Sequence, residues 1–155
     1  MAAPASARLR DLVFTLSPAQ LKLTPLPHGL WAGVMEFYVR ETWVSLVVIV
    51  DGTTSLYFGS GGGIIGSGGH EAVRTAARSF LEAMDASAAA FAPASAYPLP
   101  AKSRIHFYAL RTDGVYASPD FEERELTGSG DSLLPLYAAA QDLIAQIRLA
   151  TPARG

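Results

Sequence analysis

The chain has 155 residues, no cysteine and a formal net charge of −2, from 12 basic and 14 acidic side chains. Half of its residues are hydrophobic and 17% are charged, a balance that excludes a disordered chain and supports one domain with its own core. Without cysteine there is no disulfide, no thiolate nucleophile and no cysteine-ligated metal, and the composition suits the cytoplasm.

The charges carry no block of one sign; the densest run, Glu122-Glu123-Arg124-Glu125, is mixed. Nucleic-acid binding wants a clustered basic face, so no nucleic-acid partner is expected. Only Lys22 and Lys102 are lysines, and the preference for Arg and Ala fits a high-GC bacterial genome. The longest apolar stretch, Trp43 to Val50, falls far short of the ~20 residues that span a bilayer. The first 16 residues lack the continuous apolar run of a secretory signal.

Leu9, Leu12, Val13 and Leu16 recur at helical spacing, which predicts a short amphipathic helix over 6–16 with these residues inward. Ser17-Pro18-Ala19-Gln20 reads as a second helix start, a capping box with Pro at the first helical position, stopped by Pro25 and Pro27. Leu30 to Arg40 alternates, with Trp31, Met35, Phe37 and Val39 on one face and Ala32, Val34, Glu36 and Tyr38 on the other. Trp43 to Val50 is apolar on both faces, the mark of a covered central strand. Asp51-Gly52 predicts a two-residue hairpin turn into a third strand, Thr53 to Phe58.

A helix over roughly 70–90 buries Val73, Ala77, Phe80, Leu81 and Met84. Residues 86–101 read as a connector. Ser103 to Arg111 predicts a strand, and Asp113-Gly114 a hairpin into Val115-Tyr116. The last helix starts near Asp131 or Ser132, carries Pro135 in its first turn and runs on Leu136, Ala140, Leu143, Ile144 and Ile147. The order is α-β-β-β-α-β-β-α. It predicts a single α+β domain over 1–155, frayed at 1–5 and 151–155, with an antiparallel sheet of about five strands packed with three helices. Profilin-like and roadblock-like domains resemble this order of elements, without a shared motif.

Residues 59–69 hold seven of the fourteen glycines, a density that costs backbone entropy on ordering. One reading is an anion site at the start of the following helix, formed by Ser60, Gly61, Gly62, Gly63, Ser67, His70 and Arg74. Gly61, Gly63 and Gly66 satisfy G-x-G-x-x-G, yet neither a βαβ unit nor a phosphate-loop Lys-Ser/Thr pair accompanies them. The other reading treats Ile64-Ile65 as a glycine-framed apolar tip that docks on a second copy of the chain or on another protein.

A nucleophile elbow is missing around Ser60 and Ser67. His28, His70 and His106 lie far apart without metal-ligand spacing, so neither metal nor cofactor is expected. His70 is the best single candidate for chemistry; His106 reads as a partly exposed sheet-face histidine. Glu36 is the odd carboxylate on its strand: buried, it needs a partner such as Arg40 or Arg104, and the favoured reading turns it to solvent. The leading expectation is a non-enzymatic cytoplasmic interaction or self-association module, with a small-ligand anion-binding domain as the alternative.

Overall fold

The structure, a computed structural model, describes residues 5–64, 69–127 and 133–150. Its elements are α1 (Ala5–Val13), β1 (Leu30–Val39), β2 (Thr42–Ile49), β3 (Thr54–Phe58), β4 (Gly63–Ile64), α2 (Glu71–Ala86), β5 (Ala92–Pro93), β6 (His106–Arg111), β7 (Gly114–Ala117) and α3 (Leu134–Ala150). The strands form one antiparallel sheet in the order β4-β3-β2-β1-β6-β7-β5. The α+β class and the element order are those the sequence predicts. The sheet has seven strands rather than about five, because a two-residue strand closes each edge.

The sheet is covered on both faces. Met35, Val44, Leu46, Val48, Leu56 and Phe107 pack with Phe80, Leu81 and Met84 of α2 and with Leu136, Leu143 and Ile147 of α3. On the opposite face Ala32, Val34, Val47, Tyr57, Tyr108 and Leu110 pack with Val13, Phe14, Leu16, Leu23 and Tyr97. The double-sided apolar pattern of β2 is thus met by a layer on each side. β1, fourth of seven, pairs with β2 and β6 and is the middle of the molecule.

Several local expectations change. Trp31 joins Ala32 and Val34 rather than Met35, because the β1–β6 register shifts between Leu30 and Ala32. The capping box at Ser17 forms, with Ser17 N donating to Gln20 Oε1 at 2.9 Å and Gln20 N to Ser17 Oγ at 3.2 Å. The chain then makes only turns, and Lys22, at φ +54°, ends them. The β2–β3 turn holds three residues, not two. Ile49 N bonds Thr53 O at 2.8 Å and Gly52 alone takes positive φ, +100°, as in a type I turn followed by a left-handed residue. The connector after α2 contains β5, paired with β7. The start of the last helix falls beside 128–132, outside the described residues; from Leu134 the helix runs as predicted, with Pro135 in its first turn.

Phe80 is fully buried, with its ring 6.4 Å from that of Phe107. Phe80→Ala is expected to cost about 3–5 kcal/mol, read as a lower urea midpoint at unchanged m-value.

Candidate functional site

The α1 face of the sheet carries a polar row across four strands. Tyr57 of β3 lies opposite Ser45 of β2, Ser45 opposite Glu36 of β1, and Glu36 opposite His106 of β6. Strand alternation alone puts all four on one face. Glu36 is 0% exposed and Arg10 of α1 is 5% exposed. The guanidinium grips the carboxylate twice: Nε donates to Oε2 and Nη2 to Oε1, both at 2.7 Å. His106 Nε2 lies 2.8 Å from Oε1. Arg10 also donates from Nη1 to Asp11 Oδ1 at 2.8 Å and from Nη2 to the Pro98 carbonyl at 3.3 Å. Its guanidinium lies 4.7 Å from the centre of the Phe14 ring.

Arg10 and His106 satisfy the buried Glu36 carboxylate, which is what a buried charge requires, while the buried Ser6 and Ser45 hydroxyls beside it have no hydrogen-bond partner among the described residues. Burial pushes the Glu36 carboxyl up, but the hydrogen bonds and charges of Arg10 and His106 overcome it, and the net direction is down. Arg10 behaves in mirror image: burial works against its charge, and Glu36 and Asp11 restore it with a surplus. Tyr108, whose hydroxyl donates to the Pro98 carbonyl at 2.7 Å, is pushed up to about 12, first by burial and then by the Glu36 charge.

Both expectations about these residues are corrected. Glu36 is buried rather than solvent-facing, and its partner is neither Arg40 nor Arg104 but Arg10, 26 residues earlier. His106 is buried against Glu36 rather than partly exposed. Arg104 instead meets Asp120 and Glu125 at the surface.

The network decides which way α1 faces. Its buried residues are Ser6, Arg10 and Val13, while Leu9 and Leu12 are 38% and 50% exposed. At about 100° per residue, a helix that turns position 10 inward carries 9 to its flank and 12 to its outer face. The predicted apolar stripe is therefore split, with Val13 inside and the two leucines in water.

Two glycines of the glycine-rich segment are required by packing. A Cβ on Gly59 would lie 2.5 Å from Trp43 Nε1, and one on Gly63 2.6 Å from the Leu56 carbonyl oxygen. Ser60, Gly61 and Gly62 form the exposed β3–β4 turn, with Gly61 at φ +113°. Ile64 is half-buried and packs against its own core. Ile65 and Ser67 lie outside the described residues. His70 is the exposed N-cap of α2 and makes no side-chain capping bond. Arg74 runs along Gly52, its Cγ and Cδ 3.6 Å from where a Cβ there would stand. Gly52 precedes β3 and Ser60 follows it, so Ser60 and Arg74 stand at opposite ends of a strand roughly 17 Å long. Arg74 lines a cleft of about 400 Å³ between α2 and the segments 24–27 and 49–52. His28 is exposed on the α2 side, with Nδ1 3.0 Å from Asp85 Oδ2.

Among the described residues no group of three His, Asp or Glu stands close enough to hold a metal ion, and no helix is long and apolar enough to cross a membrane. No protein-family model, no curated protein and no solved structure matches this chain.

Two predictions follow from this geometry. Glu36 has a depressed native pKa, so its stabilisation is complete above the ordinary carboxylate value of 4.5 and is lost as pH falls through the native value. Glu36→Gln strands the Arg10 charge and is expected to cost about 3–5 kcal/mol at neutral pH; urea melts between pH 7 and pH 3 should show a flatter acid dependence in the variant. Gly59→Ala, forced against the Trp43 indole, is expected to lose about 1–3 kcal/mol. Gly62→Ala, with open space around its Cβ, should melt close to the parent temperature in calorimetry.

Proposed function

We propose that this domain is a non-enzymatic cytoplasmic module that self-associates, with the outer surface of α1 as its contact. The supporting observation is the orientation of α1. A nine-residue helix that buries Ser6 and Arg10 while holding Leu9 and Leu12 in water is arranged against the usual partition of a surface helix. A second copy gives those leucines an apolar neighbour.

The same surface is self-complementary. An antiparallel pairing of two α1 helices about a two-fold axis sets Leu9 of each copy against Leu12 of the other, and Arg8 toward Asp11. Isologous contacts of this kind need a patch whose charges mirror one another along the helix, and Arg8-Leu9-x-Asp11-Leu12 has that order. Leu21 and Leu99, each 38% exposed, belong to the segments beside α1 in the same layer. They extend the apolar area toward the ~800 Å² per partner of a stable interface. The Ile64-Ile65 tip has less support as a contact, since Ile64 packs inward. Placement in the cytoplasm rests on the cysteine-free composition.

Sedimentation equilibrium at tens of micromolar is expected to show a dimer for the native protein. Leu9→Ser/Leu12→Ser should sediment as a folded monomer whose melting temperature no longer depends on protein concentration, because neither side chain is part of the core. Arg8→Asp is expected to weaken the dimer by about tenfold, and Arg8→Asp/Asp11→Arg to restore it. A native protein that stays monomeric, or a dimer indifferent to the leucine pair, overturns the proposal.

A further inference from the structure

The cleft beside α2 lies on the sheet face opposite α1 and takes no part in the proposed dimer contact. Its volume, about 400 Å³, falls in the range of small-ligand sites, ~300–1,000 Å³. Leu26, Val50, Ala77 and Leu81 give it an apolar floor. Four charged side chains border it: Asp51, Arg74, Arg78 and Glu82.

Two of these four are tied to the protein. Asp51 Oδ1 accepts the Thr53 N–H at 2.9 Å, fixing the β2–β3 turn. Arg74 lays its aliphatic stem along Gly52 and has interactions of its own. Arg78 and Glu82 differ. They stand one helical turn apart, at a spacing where i,i+4 pairs commonly form. Here they join neither each other nor any other described residue in a hydrogen bond or ion pair. The cleft therefore presents one open cation, one open anion and an apolar floor between the helix and the 24–27 segment.

We infer that this cleft is a binding site for a zwitterionic small molecule with an apolar body, a free apolar α-amino acid. Its carboxylate meets the Arg78 guanidinium, which is planar and suited to two parallel hydrogen bonds. Its ammonium meets Glu82, and its side chain covers Leu26, Val50 and Leu81. A phosphate or dicarboxylate would leave Glu82 facing like charge. A cationic amine would leave Arg78 in the same position. Only a ligand bearing both signs satisfies both groups, and the number of charges in the cleft stays balanced when it binds.

Isothermal titration with four compounds tests this: L-phenylalanine, L-leucine, 3-phenylpropionate, which lacks the ammonium, and phenethylamine, which lacks the carboxylate. Phenylalanine or leucine is expected to bind with a dissociation constant of about 1 mM or tighter, and both truncated analogues about tenfold more weakly. Glu82→Gln should bring phenylalanine down to the level of 3-phenylpropionate, and Arg78→Gln down to that of phenethylamine. Both side chains are exposed, so both variants should keep the parent melting temperature without ligand. No binding of either amino acid at 10 mM, on the order of tenfold above the expected constant, overturns the inference. So does equal binding of phenylalanine and its two analogues, which would mark an unselective apolar groove.

Discussion

Everything on one face of the sheet is organised around the carboxylate of Glu36. It is wholly buried at the middle strand, and a buried carboxylate keeps its charge only where donors surround it. Arg10 supplies two hydrogen bonds from α1 and His106 lies within hydrogen-bond reach on β6. Three parts of the chain thus converge on one side chain, and the rest of that layer follows. Pro98 is held by both Arg10 and Tyr108, and Phe14 stacks on Tyr97 with ring centres 4.6 Å apart. The position of α1 is set by this polar fit, and its leucines face outward as a consequence. A purely apolar contact would have rotated the helix to bury Leu9 and Leu12, and would have drawn Arg10 away from Glu36.

The opposite face obeys simpler rules, and it is the part legible in the sequence. Phe80, Leu81 and Met84 on α2, and Leu136, Leu143 and Ile147 on α3, occupy the positions their helical spacing predicts. β2 reads as a strand covered on both sides because both of its faces are apolar, and both are covered. Where burial is apolar, periodicity identifies the inward face. Where burial is polar it misleads, and α1 is the clear case: its stripe of leucines is the visible signal, and the residue that orients it is an arginine. Glu36 was conspicuous as a lone carboxylate among apolar neighbours. Its partner was not, because 26 residues separate it from Arg10 and 70 from His106, and nothing local links them.

The edges of the sheet escape sequence reading for another reason. β4 and β5 have two residues each, too few for any alternation to register. In the glycine-rich segment, conspicuous in composition, close packing accounts for two of the glycines. Gly59 makes room for an indole and Gly63 for a neighbouring backbone carbonyl, leaving the turn between them exposed. Arg74, drawn into the anion reading by its place one turn after His70, looks instead toward the β2–β3 turn. The cleft it borders is assembled from three separated stretches, 24–27, 49–52 and one side of α2, a convergence that only the fold creates.

The middle strand also sets an order of events during synthesis. β1, β2 and β3 are consecutive and pair by short turns, so this meander needs no later part of the chain to pair. The other side of β1 has no partner until β6 emerges, some 70 residues after Glu36. Through that interval a nascent chain exposes the open backbone of its middle strand, an invitation to pair with a neighbouring chain. Arg10, already synthesised, can meet Glu36 in the meantime and lay α1 over the exposed face. The ion pair that orients the helix in the finished domain is thus available as an early cover, with His106 the last of the three to be synthesised.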